Sequence, residues 1–199
     1  MTVDVPEIPR EDEVRLPAAE TALIVVDMQN DFAHPDGALF VPAAAESIPR
    51  IRALLDRARA AGARVVFTQD WHAEDDPEFR IWPRHAVAGT WGAEIVEELA
   101  PRPGEARIQK LRYDAFYGTP LEHLLRLWGV RRVVVVGTVA NICVLHTAGS
   151  AALRWFEVVL PEDGTSALTP FDLAAALRQV SFLYRGKITT VEGVKFENR

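Results

Sequence analysis

RRVVVVGTVANIC, residues 131–143, decides the reading of this chain. The run Val133–Val136 is β-branched and shows no polar alternation, the pattern of a strand buried on both faces. A glycine follows, and TVANIC then delivers Cys143 to the start of a helical stretch. Five further short apolar runs share this character: Ala22–Val26, Arg64–Thr68, Ala106–Ile108, Glu157–Leu160 and Lys187–Val191. Helical stripes lie between them. Ile48, Ile51, Leu55 and Ala58 fall on one face, as do Leu121, Leu124, Leu125 and Trp128, and Leu173, Leu177 and Val180 follow Pro170. Gly62 and Gly129 read as stops and Pro120 as a helix start. Strand–helix–strand repetition requires parallel pairing through right-handed crossovers. The expectation is an α/β fold of three layers, αβα, with a six-stranded parallel sheet.

Composition narrows the function classes. The chain has 199 residues, a formal charge of −6, 49% hydrophobic residues and one cysteine. No apolar run approaches the ~20 residues of a membrane span, and no secretory signal opens the chain. The acidic balance and the lack of a basic block speak against nucleic acid and membrane partners. A lone cysteine cannot close an intrachain disulfide, which fits a reduced, cytoplasmic setting. Residues 1–20, rich in proline and acidic side chains, read as an N-terminal arm, and residues 21–199 as one domain.

In an open parallel sheet, ligands bind beyond the carboxyl ends of the strands. Four strands end there in ionisable groups: Asp27, Asp70 with His72 beside it, Lys110, and the segment carrying Cys143. Taken singly, each has a plain structural reading: a turn aspartate, a solvated lysine, a small core thiol. Together they supply a nucleophile, a carboxylate to take and return its proton, and an ammonium. A helix N-terminus and a nearby ammonium would both favour the thiolate. Asp70, His72 and His85 form a ligand set for zinc, manganese or iron, with Glu78 and Asp75 as further candidates. Trp71, Trp82, Trp91, Phe32 and Phe79 flank these polar residues and could form a slot for a flat ring. His34 would sit near the entrance, and His123 on the solvent side of its helix.

Several stretches resemble the isochorismatase-like cysteine hydrolases, and within them the nicotinamidases (pyrazinamidases). They are VVDMQNDF (25–32) with GAL (37–39), TQDWH (68–72), WPRHAVAGTWGAE (82–94), KLRYDAFYGTPL (110–121) and GTVANICVLHTA (137–148). The resemblance implies an isochorismatase-like hydrolase fold and a catalytic triad of Asp27, Lys110 and Cys143. It implies a divalent metal, zinc foremost, on Asp70, His72 and His85. It also implies a cis Thr138–Val139 peptide, an oxyanion hole of the Val139 and Cys143 N–H groups, and a ring pocket walled by Phe32 and Trp82. The implied activity is amide hydrolysis with release of ammonia, nicotinamide to nicotinate, placing the enzyme in NAD metabolism. A homo-oligomer is implied by family analogy. Three departures from the nicotinamidase pattern stand out: Asn141-Ile142 precedes the cysteine where an Asp-aromatic pair is usual, AEDDPEF (73–79) lacks a further histidine, and AHPDGAL (33–39) follows Phe32. Two rivals follow. One is a family hydrolase acting on an acyclic amide, a carbamoyl compound or an isochorismate-like vinyl ether. The other is a non-catalytic module binding a small ligand.

Overall fold

The structure, a computed structural model, describes residues 6–198. Its strands are β1 (Val14–Pro17), β2 (Thr21–Val26), β3 (Arg64–Asp70), β4 (Ala106–Lys110), β5 (Arg132–Gly137), β6 (Glu157–Pro161), β7 (Lys187–Thr189) and β8 (Val194–Glu197). Its helices are α1 (Asn30–Ala33), α2 (Pro42–Ala61), α3 (Leu121–Leu127), α4 (Leu145–Leu153) and α5 (Pro170–Leu183). Strands β2 to β7 form one parallel six-stranded sheet in the order β4-β3-β2-β5-β6-β7. The chain winds outward from β2 to β3 and β4, then returns to place β5 on the other side of β2. The order reverses between β2 and β5, and a crevice opens where the two strands end.

The six strands stand where the apolar runs predict them, and the helices where the stripes predict them. Alternation within each strand feeds two cores. Leu23, Val25, Phe67, Val134 and Val136 pack against Ile51, Leu54, Leu55 and Ala58 of α2. Ala22, Ile24, Val66, Val133 and Val135 face the opposite way, toward Leu121 and Leu125 of α3, Ala148 and Ala151 of α4, and Leu177 and Val180 of α5. Each fully buried Leu or Ile contributes roughly 1.5–3 kcal/mol. Helix α2 starts at Pro42 and stops at Gly62, whose left-handed φ of 73° turns the chain toward β3.

Residues 14–17 of the expected arm form β1, which pairs in parallel with β8 near the other end of the chain. Val14 and Leu16 are buried there. Residues 1–5 lie outside the described residues. Strand β7 ends at Thr189 rather than Val191: Val191 leaves the ladder, and its N–H bonds Asp163 Oδ1 at 2.6 Å.

Candidate active site

Asp27 follows β2 directly and Thr138 follows β5, so both stand at the reversal point. Gly137, with φ at 115°, lets the two strands close together, since a Cβ there would run into the backbone of Val26. Asp27 is held at a left-handed φ of 49°. Thr68 fixes it twice, donating from Oγ1 to Asp27 Oδ1 at 2.6 Å and accepting from the Asp27 N–H at 3.2 Å.

Lys110 ends β4, two strands away, and its ammonium reaches the same point. Nζ lies 2.8 Å from Asp27 Oδ2, 2.5 Å from Asp70 Oδ1 and 3.7 Å from Cys143 Sγ. Cys143 sits in a π-helical turn, Ala140–Val144, that leads into α4. A carboxylate oxygen of Asp27, one of Asp70 and the Cys143 sulfur all lie within 4.8 Å of one another. All four side chains are buried. The Thr138–Val139 peptide is cis.

Electrostatics there depart from the expected thiolate. Burial pushes the Cys143 thiol well above its ordinary range; Lys110 opposes this, and Asp27 and Asp70 reinforce it. Burial outweighs the pull of Lys110, so the resting sulfur is favoured as a thiol, with the Asp27 and Asp70 carboxyls beside it. Burial also raises Asp27, with Lys110 opposing and Asp70 adding to the rise. Asp70 differs: burial pushes it up, but Lys110 and His72 outweigh that and hold it at about 2. Burial lowers the Lys110 ammonium, yet the charges of Asp27 and Asp70 carry it well above its ordinary value. The lysine is a fixed cation.

Asp70 faces two ways. Oδ1 takes the lysine, while Oδ2 lies 3.9 Å from His72 Nε2. Ligand atoms of Asp70, His72 and His85 all lie within 4.8 Å of one another. Each imidazole is oriented from behind. His72 Nδ1 donates to Asp76 Oδ2 at 3.1 Å, and His85 Nδ1 to the Pro83 carbonyl at 2.6 Å. That leaves Nε2 of each ring for a ligand, the usual support for a metal-binding histidine. Among the described residues, the buried His72 Nε2 has no hydrogen-bond partner. Burial lowers the His72 pKa, but Asp70 and Asp76 beside it raise it overall. The same anionic surroundings would favour a metal ion at Nε2. Burial lowers His85, which keeps its ring neutral. The residues therefore fit a divalent ion by donor type, convergence and the orphaned nitrogen. Asp75 is exposed and is no ligand; its neighbour Asp76 is buried and braces His72.

Two residues that the sequence reading passed over build the frame. Gln29 donates from Nε2 to the carbonyls of Asp70 and Ala93 and accepts the Asp70 N–H at Oε1, each at 2.8 Å. Asp31 accepts the Ala86 N–H at 2.7 Å and the Ala38 N–H at 3.0 Å. It thereby ties the His85 segment to the loop after α1. Both lie within VVDMQNDF, where a buried amide and acid between apolar residues were the available signal.

A cavity of about 320 Å³ opens on Asp27, Asp70, His85 and Cys143. Phe32 and Trp82 line it as expected, joined by Leu39, Phe40 and Tyr113, whose hydroxyl accepts the Trp82 Nε1–H at 3.0 Å. The other aromatics serve elsewhere. Phe79 packs edge-on against His72 and His85, Trp91 against His34, and Trp71 beside the small core of Phe32. His34 is thereby kept from the cavity lining, while His123 and His146 are exposed.

A thiol, a carboxylate and an ammonium are gathered at the carboxyl edge of a parallel sheet, the groups that a cysteine hydrolase needs. The chain belongs to the isochorismatase family, whose isochorismatase domain matches residues 21–193. The ureidoacrylate amidohydrolase of Stutzerimonas stutzeri is 34% identical, over 92% of this chain and 84% of its own. Among solved structures, the zinc complex of the pyrazinamidase of Pyrococcus horikoshii superposes with a TM-score of 0.81 at 38% identity, covering 86% of this chain and 99% of that one. The N-carbamoylsarcosine amidase of Thermoplasma acidophilum gives 0.81 at 36%, covering 87% and 97%. Among the described residues, no helix is long and apolar enough to cross a membrane.

Proposed function

We propose that this protein hydrolyses the carboxamide of a neutral aromatic ring, nicotinamide foremost, to the carboxylic acid and ammonia through a thioester on Cys143. The observation that carries this reading is the metal cradle of Asp70, His72 and His85 on the same cavity as the thiol. The zinc-bound pyrazinamidase supports it, and so do the aromatic walls, Phe32 and Trp82.

Substrate charge supports it too. Ureidoacrylate and N-carbamoylsarcosine carry carboxylates. The cavity lining contains Asp27, Asp70 and Glu78 and, among the described residues, no lysine or arginine. Apart from the divalent ion that the cradle would hold, an anionic substrate would lose its hydration there without gaining a cationic partner.

In the reaction, Asp27 takes the proton of Cys143 as the amide binds. The sulfur attacks the carboxamide carbon, and the oxyanion forms against the Val139 and Cys143 N–H groups. Losing one such donor typically costs about 10²–10³ in rate. Asp27 returns the proton to the departing nitrogen, ammonia leaves, and the acyl group stays on sulfur. Asp27 then draws a proton from water, which attacks the thioester and frees the acid. Lys110 stabilises the negative charge shared by Asp27 and the sulfur. Asp70, His72 and His85 would hold a divalent ion, zinc, manganese or iron, which when bound supplies a Lewis-acidic anchor for the ring.

A carbamoyl or ureido amide is the second reading, favoured by the ureidoacrylate amidohydrolases among the sequence relatives. Ammonia release from nicotinamide, ureidoacrylate and N-carbamoylsarcosine by protein of measured metal content separates the two. Turnover of nicotinamide that falls on chelation supports the proposal; turnover confined to the carbamoyl acids overturns it.

A further inference from the structure

The cavity changes character with depth. Its charged and polar lining residues, Asp27, Asp70, His85 and Thr138 among them, are all buried, as is Cys143. Every lining residue that reaches solvent is apolar or aromatic, the larger ones being Leu39, Phe40, Trp82, Tyr113, Ile142 and Leu168. The two polar atoms among those side chains meet each other, since the Trp82 Nε1–H donates to the Tyr113 hydroxyl at 3.0 Å. The mouth is therefore walled by rings and alkyl groups. Leu168 stands there 56% exposed, and its backbone is pinned on both sides. The Ser166 carbonyl accepts the Ala140 N–H at 2.7 Å, and the Ser166 N–H donates to the Gly137 carbonyl at 3.0 Å. Thr169 Oγ1 accepts the Asp172 N–H at 3.2 Å, and Asp172 Oδ1 accepts from Asn141 Nδ2 at 3.1 Å. Ala140 and Asn141 belong to the turn that carries Cys143, so Leu168 is held in register with the nucleophile. One exposed leucine is ordinary, but a continuous apolar rim opening on a reactive cavity marks a ligand contact.

We propose that this rim is a subsite for an apolar substituent on the acyl side of the substrate, and that Leu168 selects for it. The substrate class is then a carboxamide whose ring carries a short alkyl group. Burial gives the direction. The carboxamide must meet Cys143 at the buried end, and the departing nitrogen must stay within reach of Asp27 there. Phe32 is buried and Trp82 half-buried, so a ring between them spans the depth and its far edge meets the rim. The volume, about 320 Å³, lies in the range of roughly 300–1,000 Å³ that encloses drug-sized ligands, and a bare single-ring amide leaves space toward the mouth. Each CH₂ covered by the rim improves affinity by about three- to fourfold. The consequence for turnover rests on the amide-hydrolase reading; the binding preference does not.

The test uses the Cys143→Ala protein with its metal content measured, so that amides bind without turnover. Calorimetry gives affinities for nicotinamide and for its methyl, ethyl and propyl derivatives, substituted meta to both the amide and the ring nitrogen. It does the same for benzamide, meta-propylbenzamide and N-propylbenzamide, and for straight-chain amides from butanamide to heptanamide. We expect a ring propyl group to tighten binding about thirtyfold, at about threefold per carbon, and the N-propyl group to give no gain. Leu168→Ser should cut the thirtyfold ratio of propyl to unsubstituted amide below about tenfold, and Leu168→Met should keep it. A flat alkyl series, a gain confined to N-propylbenzamide, or a gain that Leu168→Ser leaves intact would overturn the proposal. If neither ring series binds, but the straight-chain amides tighten with length and lose that gain in Leu168→Ser, the subsite stands and the ring-amide reading fails. No gain with length in those amides either would overturn both.

Discussion

At the residue scale, Asp70 joins two kinds of chemistry in one carboxyl group. Oδ1 takes the Lys110 ammonium at 2.5 Å and Oδ2 faces His72. A metal ion would therefore sit one carboxylate away from the nucleophile's own cation. Removing His85 should test the cradle without touching the triad. We expect His85→Ala to lose bound metal, read by elemental analysis, while folding cooperatively; stoichiometric metal in the variant would refute the ligand assignment. Asp27→Asn should leave amide binding within a few-fold and cut turnover by at least ~10³, since the thiol is pushed up by burial and the other carboxylate beside it, Asp70, is held at about 2 and is a poor base. A rate within tenfold of the parent would remove Asp27 from proton transfer.

At the element scale, the strand ends carry the site, and α2 with the loops around it braces the frame. Arg59 of α2 reaches Glu105, just before β4, at 2.7 and 2.8 Å, and both side chains are mostly buried. Burial pushes Glu105 up, but the hydrogen bonds from Arg59 and the Arg102 N–H, together with the Arg59 charge, hold its carboxyl below the ordinary 4.5. A depressed folded pKa contributes stability at pH above the unfolded value, and that stability is lost as pH falls through the folded one. Glu105→Gln should therefore lower the urea midpoint at pH 7, and the gap from the parent should close below about pH 4. A gap constant with pH would show that the pair does not act through charge. This pair was not legible in the sequence, because it joins residues 46 positions apart. The strands and helices were legible, because β-branched runs and apolar stripes are local. So were Asp27, Asp70, Lys110 and Cys143, since parallel topology sends every strand end to one rim. Gln29, Asp31 and Asp76 were not. Their roles are hydrogen bonds to Asp70, Ala86 and His72, and only the folded loops bring those partners together.

At the scale of the whole molecule, the two ends of the described chain close on each other. Strand β1 pairs with β8 beside the main sheet, Glu11 bonds Lys187, and Arg15 bonds Glu197. Composition marked residues 1–20 as an arm because prolines and acids dominate there, yet Val14 and Leu16 are enough to bury a strand. Leu16 is 3% exposed in the core that also holds Leu54 and Phe67. Leu16→Ala should destabilise the protein by roughly 2–5 kcal/mol in urea unfolding, with kcat unchanged. A loss under ~0.5 kcal/mol would mean that the pairing of the ends adds little to the core. The sheet thus serves as a scaffold closed at its periphery, with its chemistry concentrated at the β2–β5 crevice.

Acyl transfer to one sulfur is the step on which the proposed function turns. Protein mixed with nicotinamide can be quenched in acid during turnover and digested, and the masses of its peptides measured. The peptide carrying Cys143 should gain one nicotinoyl group, released by hydroxylamine, and Cys143→Ala should be inactive. Steady ammonia release from a protein whose Cys143 stays unmodified, undiminished in Cys143→Ala, would contradict the account.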